Sequence, residues 1–118
     1  MILVIADDLT GAAEIAGIGL RYGLKVRVCT EIIQEVTEDL LVISADTRSL
    51  TENQAVAKVE YLIKSSQQYK PSLIYKKIDS VLRGHVLAEI KAIQQVFSKK
   101  NCLIIPTNPS MGRRIQDG

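Results

Sequence analysis

The sequence predicts an α/β fold, a three-layer α/β/α sandwich with a mostly parallel, Rossmann-like sheet. Uninterrupted apolar runs at residues 2–6, 40–44, 73–75 and 102–105 are typical of short strands that are buried on both faces. Apolar residues between these runs recur at helical spacing. Alternation of strands and helices in this manner indicates parallel strands joined by crossover helices.

Residues 1–39 are predicted to supply two strands and one helix. Residues 12–22 are predicted to form a helix, which Gly23 ends in the manner of a C′ glycine. Residues 24–29 alternate apolar and basic side chains, which indicates a half-exposed strand near a sheet edge. Residues 30–39 are polar and acidic and indicate a loop or a weakly formed helix.

The second half of the chain continues the alternation. A capping-box sequence at residues 51–54 opens a helix after the strand at 40–44. After the strand that begins at residue 73, the apolar spacing predicts a third helix that begins at Leu82 or Gly84. The apolar run at 102–105 is predicted to be a fifth strand.

Composition indicates a globular domain and excludes several classes of protein. The 118 residues are enough for one domain with its own core. A net charge of +2, with four tyrosines and one phenylalanine, gives little basic field or stacking surface for a nucleic acid. No apolar run reaches the roughly 18 residues that a membrane span needs. No basic segment precedes the first strand as in a signal peptide.

The two cysteines favour a cytoplasmic protein. Cys29 and Cys102 each lie inside an apolar, strand-like run. We interpret them as small buried hydrophobic residues of a protein in a reducing compartment. A disulfide or a metal site is the alternative.

Polar side chains follow four of the predicted strands. The carboxyl ends of parallel strands meet at one edge of a sheet, where ligands bind, so these side chains are expected to share a crevice. Adjacent carboxylates there destabilise the fold unless a cation or a hydroxyl meets them. The four groups are Asp7 with Asp8; Asp46, Thr47 and Arg48; Lys77, Asp79, Ser80 and Arg83; and Thr107, Asn108, Arg113 and Arg114.

The chemistry of this edge suits a small, anionic, polyhydroxylated molecule, and a sugar acid is such a molecule. Arg48, Lys77 and Arg83 can bind a carboxylate or a phosphate. Asp8 and Asp79 can accept hydrogen bonds from hydroxyl groups, and either can take a proton from one. The amino-terminal end of the third helix adds unpaired backbone N–H groups.

The same residues also have structural interpretations. Asp8 can cap the first helix. Asp79 and Arg83, four residues apart, can form an ion pair within a helix. Arg48 can be a solvated loop residue.

Four further residues near this edge are assigned no chemistry. Lys76 is expected to point away from Lys77 and into solvent, since neighbouring strand residues face opposite sides. His85 is interpreted as a solvated or capping residue. The adjacent Arg113 and Arg114 are interpreted as surface residues.

Spacing argues against ordinary nucleotide-binding motifs. The chain has no G-x-x-x-x-G-K-[ST] loop, and no G-x-G-x-x-G follows its first strand. Asp7, Asp8 and Asp46 are arranged as in a phosphoacceptor receiver domain of flavodoxin-like topology. That family also needs a lysine before a proline after the fifth strand, where this chain has Ile105 and Pro106. The receiver domain is therefore an alternative with one required residue missing.

Four sequence motifs together resemble the four-carbon acid sugar kinase family. They occur in the family's order and extend over essentially the whole chain. The motifs are residues 5–12 (IADDLTGA), 43–48 (ISADTR), 76–84 (KKIDSVLRG) and 109–113 (PSMGR) followed by Asp117 and Gly118.

The resemblance implies an ATP-dependent kinase that phosphorylates a terminal hydroxyl of a threonate-, erythronate- or oxo-tetronate-like acid. It also implies that residues 1–118 are the sugar-acid-binding amino-terminal domain of a longer enzyme. A separate carboxyl-terminal domain would hold most of ATP and Mg²⁺, so this chain alone is expected to be inactive. By motif position, the substrate contacts are expected at Asp8, Arg48, Lys77, Asp79, Ser80, Arg83 and Gly84, with Asp8 favoured as the catalytic base.

A different class of function stays open beside the kinase. The chain can be a non-catalytic sugar-acid-binding module, because it contains no recognisable ATP site. In both cases the expected partner is a small-molecule sugar acid, with no nucleic acid and no membrane. A homodimer is left open.

Overall fold

The computed structural model describes residues 1–98 and 101–116 and has the predicted three-layer α/β/α architecture. Four parallel strands form one sheet in the order β2-β3-β1-β4. Two short 3₁₀ helices, Gln67–Tyr69 and Pro109–Met111, complete the described structure. The strands and α-helices are β1 (Ile2–Ala6), α1 (Leu9–Arg21), β2 (Val26–Cys29), β3 (Leu40–Ser44), α2 (Glu52–Ser66), β4 (Leu73–Lys77) and α3 (Val86–Val96).

The core lies on both faces of the two central strands, β1 and β3, because their apolar runs have no polar face to expose. Helix α1 covers one face, where Ala12 and Ala16 pack against Val4 and Val42. Helices α2 and α3 cover the other face. Its core residues include Leu3, Ile5, Leu41, Ile43, Val59, Ile63 and Ile93.

The ends of helix α1 follow from local sequence. The carboxylate of Asp8 accepts a hydrogen bond from the N–H of Gly11 at 2.7 Å, so the helix begins at Leu9, three residues earlier than predicted. Gly23, with a φ of +75°, follows the last turn as predicted. The acidic segment 30–39 forms no helix or strand before β3 begins.

The predicted start of helix α3 at Leu82 or Gly84 is wrong. The helix begins at Val86. Leu82 has a φ of +61° and Gly84 a φ of +84°, and neither left-handed conformation can continue into a right-handed helix. Residues 78–85 therefore form an irregular loop between β4 and α3.

The predicted fifth strand is also wrong. Residues 102–105 have no regular secondary structure, and Leu103 is 83% exposed. Strand β4 is instead the edge of the sheet in the described part of the chain, with Leu73 and Tyr75 exposed. On the sheet face that helix α1 covers, the helix packs over the central strands β1 and β3. A further strand beyond β4 would therefore have no described helix over it on that face.

The cysteines differ in environment. Cys29 is half-buried in β2, and burial raises the pKa of its thiol. Cys102 is exposed, so its interpretation as a buried residue is wrong. Both cysteines are free, which contradicts the disulfide alternative. No helix in residues 1–98 and 101–116 combines the length and apolar character needed to cross a membrane.

The close packing of α1 on the sheet predicts that replacing two glycines of this helix by alanine has opposite effects on stability. A Cβ atom at Gly19 would overlap Leu40 and lie 3.0 Å from Val26 Cγ2, whereas one at Gly17 would meet nothing within 4 Å. We expect G19A to lower the free energy of unfolding by about 1–3 kcal/mol through overpacking. The control G17A should raise it by up to about 1 kcal/mol through helix propensity. Urea denaturation measures both, and equal effects would contradict this account.

Candidate functional site

Arg48 lies at the carboxyl edge of the sheet and joins three carboxylates. Its Nε and Nη2 donate hydrogen bonds to Asp7 Oδ2 at 3.0 and 2.9 Å. Its Nη1 lies 2.9 Å from Asp8 Oδ2, and its Nη2 lies 3.5 Å from Asp79 Oδ1. The two aspartates after β1, the arginine after β3 and the aspartate after β4 therefore meet at one point, as expected for parallel strands.

Backbone pairing continues beyond the strands and positions Arg48. The N–H of Ala45 donates to the carbonyl of Ala6 at 2.8 Å, and the N–H of Thr47 donates to the carbonyl of Asp7 at 3.0 Å. The loop after β3 is thereby fixed to the end of β1. Burial lowers the pKa of Arg48, but the hydrogen bond and charge of Asp7 raise it above its ordinary value.

Asp79 organises the loop between β4 and α3. Its Oδ2 accepts hydrogen bonds from the N–H groups of Val81 at 2.9 Å and Arg83 at 3.2 Å. Its Oδ1 accepts a hydrogen bond from Arg83 Nη2 at 2.6 Å. The predicted ion pair is present but lies in a turn, so its assignment to a helix is wrong.

In this turn, Asp79 and Arg83 each stabilise the charged form of the other. The hydrogen bond from Arg83 lowers the pKa of Asp79 well below its ordinary value, although burial acts to raise it. The same hydrogen bond raises the pKa of Arg83. Both groups are therefore charged across the physiological range.

Exposure divides the charged groups of this edge into two sets. The side chains of Asp7 and Asp79 are 7% and 5% exposed. The Asp8 side chain is 25% exposed and the Arg83 side chain is 63% exposed. Within this group of contacting charges, Arg83 is therefore the most exposed, and Asp8 is more exposed than Asp7 and Asp79 and about as exposed as Arg48.

Lys77 faces helix α1. Its Nζ lies 3.2 Å from Glu14 Oε2 and donates a hydrogen bond to the carbonyl of Ile78 at 3.1 Å. A Cβ atom at Gly11 would lie 2.9 Å from Asp8 Oδ1 and 3.2 Å from Lys77 Cγ. The absence of a side chain at Gly11 thus lets the helix start close to both residues.

Lys76 faces the opposite side of the sheet, as predicted, but its expected exposure to solvent is wrong. Its Nζ lies 2.7 Å from Glu89 Oε2 on helix α3, and the two side chains are 7% and 1% exposed. Neither Glu89 oxygen makes a well-aligned hydrogen bond, so the attraction is chiefly ionic. The pair joins the end of β4 to the first turn of α3, on either side of the loop that contains Asp79.

The remaining predicted residues lie around the same loop. A Cβ atom at Gly84 would lie 3.8 Å from Arg48 Cα and 3.9 Å from Asp7 Oδ2, so the loop packs directly on the arginine. Ser80 is exposed and accepts a hydrogen bond from Arg113 Nη1. The interpretation of Arg113 as an uninvolved surface residue is therefore wrong, because it contacts this loop.

His85 holds the loop to the segment after β3. Its Nε2 lies 2.7 Å from the carbonyl oxygen of Leu50, and its side chain makes no hydrogen bond to the helix end at which it stands. The expectation of a solvated or capping histidine is thus wrong. The sequence gives no signal for this contact, because the partner of His85 is a backbone carbonyl 35 residues away in the chain.

The donor set does not fit a resident metal ion. In the part of the chain that the structure describes, no three His, Cys, Asp or Glu side chains are placed to hold one. The three grouped carboxylates instead surround the Arg48 guanidinium, which partly offsets their charge. Asp7 Oδ1 and Thr47 Oγ1 are buried without a hydrogen-bond partner among the described residues.

Comparison with known families identifies the chain. Residues 2–118 match the family model described as "Sugar-binding N-terminal domain". The chain belongs to this family. The edge described above therefore lies in a domain whose family is described as sugar-binding.

Three relatives indicate the kind of protein in which this domain occurs. The chain is 32% identical to a D-threonate kinase of Salmonella typhimurium, over 98% of its own length. It is 30% identical to a D-erythronate kinase of Heliobacterium modesticaldum and to a 3-oxo-tetronate kinase of Brucella melitensis, over 95% and 98% of its length. It spans only 28%, 27% and 28% of these relatives. They support an amino-terminal domain of a four-carbon acid sugar kinase.

A solved structure confirms the fold. A crystal structure of a domain of unknown function from Bordetella bronchiseptica, with bound citrate and as a domain-swapped dimer, matches with a TM-score of 0.75 and 27% identity. The match covers 81% of this chain and 26% of that one. A second crystal form of the same protein matches equally well.

The pKa of Asp79 predicts a pH-dependent stability. Because this pKa is lower in the folded chain than the unfolded value of about 4, ionised Asp79 stabilises the fold above that pH. The contribution is lost as the pH falls toward the folded-state value. We expect D79N to cost about 2 kcal/mol at neutral pH and the difference from the native chain to shrink between about pH 5 and about pH 3.

Urea denaturation at several pH values measures this difference. The control is D46N, which removes an exposed carboxylate whose φ of +47° an asparagine also tolerates. A D79N deficit that stays constant with pH would contradict the assigned coupling.

The buried Lys76–Glu89 pair predicts a non-additive mutant cycle. E89Q leaves the Lys76 ammonium buried without its counter-charge, so we expect a loss of about 3–5 kcal/mol in the free energy of unfolding. The double variant K76M/E89L removes both charges and should recover most of that loss. Urea denaturation of the single and double variants tests this, and a double variant as unstable as E89Q would refute it.

Proposed function

We propose that residues 1–118 are the sugar-acid-binding part of an ATP-dependent kinase that phosphorylates a terminal hydroxyl of a four-carbon acid. The relatives named as D-threonate, D-erythronate and 3-oxo-tetronate kinases support this activity. The family description supports the binding role. The chain spans less than a third of each relative, so the activity that those names give is that of polypeptides longer than these 118 residues.

One observation carries the proposal. At the carboxyl edge of the sheet, a partly exposed carboxylate, Asp8, and an exposed guanidinium, Arg83, lie beside Arg48, which contacts the carboxylates at the strand ends. A sugar acid has hydroxyl groups that can donate to the first group and a carboxylate that can accept from the second. Citrate, found in the structurally similar Bordetella protein, is also a small hydroxylated acid.

Asp8 is the proposed catalytic base. Its Oδ1 accepts the helix-capping hydrogen bond from Gly11 and its Oδ2 contacts Arg48, so the carboxylate is held in one orientation with unused lone pairs. It takes the proton of the terminal hydroxyl as that oxygen attacks the γ-phosphorus of ATP. The bond between the γ-phosphorus and the bridging oxygen breaks, and ADP leaves with the electron pair.

The other predicted residues are proposed to hold the substrate. Arg48 Nη1 has a second N–H beside the one directed at Asp8, and Lys77 lies next to the start of α1. The loop from Asp79 to Gly84, which includes Ser80 and Arg83, would close over the acid. Asp79 acts by shaping this loop, because both of its oxygens are occupied.

ATP and Mg²⁺ are proposed to be held mainly by a part of the enzyme outside these residues. The described residues offer neither a metal cluster nor a glycine-rich phosphate loop. When bound, ATP supplies the phosphoryl group and Mg²⁺ neutralises its phosphates. A cytoplasmic location and a homodimer belong to the same proposal, the second supported by the domain-swapped dimer of the Bordetella protein.

The activity is tested with the complete polypeptide that contains this chain and with residues 1–118 alone. We expect the complete protein to transfer the γ-phosphoryl group of ATP to D-threonate, D-erythronate or 3-oxo-tetronate, measured by ADP release that depends on the acid. The 118 residues alone should give no turnover, because they lack a nucleotide site. Ordinary turnover by the isolated chain would contradict the proposal that ATP and Mg²⁺ are held mainly outside these residues. Binding without turnover by the complete protein would favour the non-catalytic module.

The role of Asp8 is tested by D8N in the complete protein. Removing the base should lower kcat about 10²- to 10⁴-fold with a smaller change in KM, because its main contribution is made in the transition state. The matched control is D46N, since Asp46 is an exposed carboxylate on the neighbouring loop and makes none of the contacts with Arg48. Equal kcat values for D8N and D46N would rule Asp8 out as the base.

A further inference from the structure

Residues 108–113 form a short turn closed by a backbone bridge, which we call the hook. Asn108 and Arg113 form an antiparallel bridge, with N–H to carbonyl distances of 3.2 and 3.0 Å. Between them, the N–H of Gly112 donates to the carbonyl of Pro109 at 3.0 Å. Gly112 has a φ of +72°, which favours glycine at this position. The backbone at the base of Arg113 is therefore fixed by hydrogen bonds.

The hook presents Arg113 to the candidate site. Arg113 Nη1 donates a hydrogen bond to the hydroxyl of Ser80, the residue directly after Asp79 in the loop. Arg113 is partly buried, whereas its neighbour Arg114 is exposed. The hydroxyl is a neutral partner, so it does not compensate the guanidinium charge.

Arg113 differs from the other cations of this edge in its charge balance. Arg48 contacts three carboxylates, Arg83 contacts Asp79, and Lys77 contacts Glu14. In residues 1–98 and 101–116, no carboxylate forms an ion pair with Arg113. A partly buried guanidinium held over a binding loop without a counter-charge is suited to receive an anionic ligand group.

We propose that Arg113 binds the carboxylate of the sugar acid together with Arg83, and so selects acids over neutral polyols. This inference rests on the proposed function. Arg83 projects from the same loop with 63% of its side chain exposed, so one guanidinium contacts Ser80 and another contacts the preceding residue, Asp79. Asp8, a partly exposed carboxylate, then receives the hydroxyl end of the same molecule. The substrate is oriented by charge at one end and by hydrogen bonding at the other.

The chain offers a matched control for this proposal. R113Q and R114Q remove the same charge from adjacent residues, but only Arg113 contacts Ser80. A general electrostatic effect would therefore appear in both variants, whereas a contact with the ligand would appear in R113Q alone. R113K retains the charge without the planar fork and should recover part of the lost binding.

The experiment measures binding of D-threonate and D-erythronate to the complete protein by calorimetry, together with KM and kcat. We expect R113Q to weaken binding about 10- to 100-fold and to raise KM by a similar factor, with R114Q within about 2-fold of the native protein. The neutral analogues threitol and erythritol, which have a hydroxymethyl group in place of the carboxylate, should be bound equally weakly by the native protein and R113Q. Circular dichroism confirms that each variant is folded.

Two results would overturn the assignment while leaving the proposed function intact. One is equal binding of the acids by R113Q and R114Q. The other is an equal loss of affinity for the acids and the polyols in R113Q, which would indicate a purely structural role for the hook. If the native protein binds none of the four-carbon acids, the proposed function fails and this inference fails with it.

Discussion

Three carboxylates around one guanidinium are the constraint on which this domain depends. Asp7 and Asp79 are almost completely buried, and burying two carboxylates without a cation would destabilise the fold by several kcal/mol. Arg48 supplies that cation from the end of a third strand. The charged side chains at the ends of adjacent parallel strands are therefore paired, so the interaction that stabilises the sheet edge also positions the side chains of the candidate site.

The loop between β4 and α3 shows how that constraint extends outward. Asp79 fixes the loop from inside through two backbone N–H groups, and Arg48 fixes Asp79. The buried pair of Lys76 and Glu89 joins the elements on either side of the loop. An irregular segment with two positive φ angles is thus held by ionic contacts at its centre and at its ends. The positive φ of Leu82 is a strained conformation for a residue with a side chain. Such strain is tolerated where the surrounding contacts determine the backbone conformation.

Local patterns predicted most of the fold because most of its elements are determined locally. Apolar runs and strand alternation located β1 to β4, and the convergence at one edge followed from their parallel arrangement. The features missed depend on partners distant in sequence. The left-handed φ of Leu82 is stabilised by the Asp79 turn, and the burial of Lys76 requires Glu89. Residues 102–105 have strand composition but no strand, because pairing depends on the sheet and its covering helices.

The partners of each charged residue separate structural from ligand-binding roles more clearly than residue type does. Lys76 and Asp79 have counter-charges within the protein and are almost completely buried, so they shape the edge. Asp8, Arg48 and Arg83 have internal partners but are at least partly exposed, so they can serve both the fold and a ligand. Among the residues that the structure describes, Arg113 contacts a neutral hydroxyl and forms no ion pair. The sequence motifs predict several of these residues as substrate contacts without distinguishing them. The partners and exposure of each charged group distinguish those that can still bind a ligand from those that are fully used within the protein.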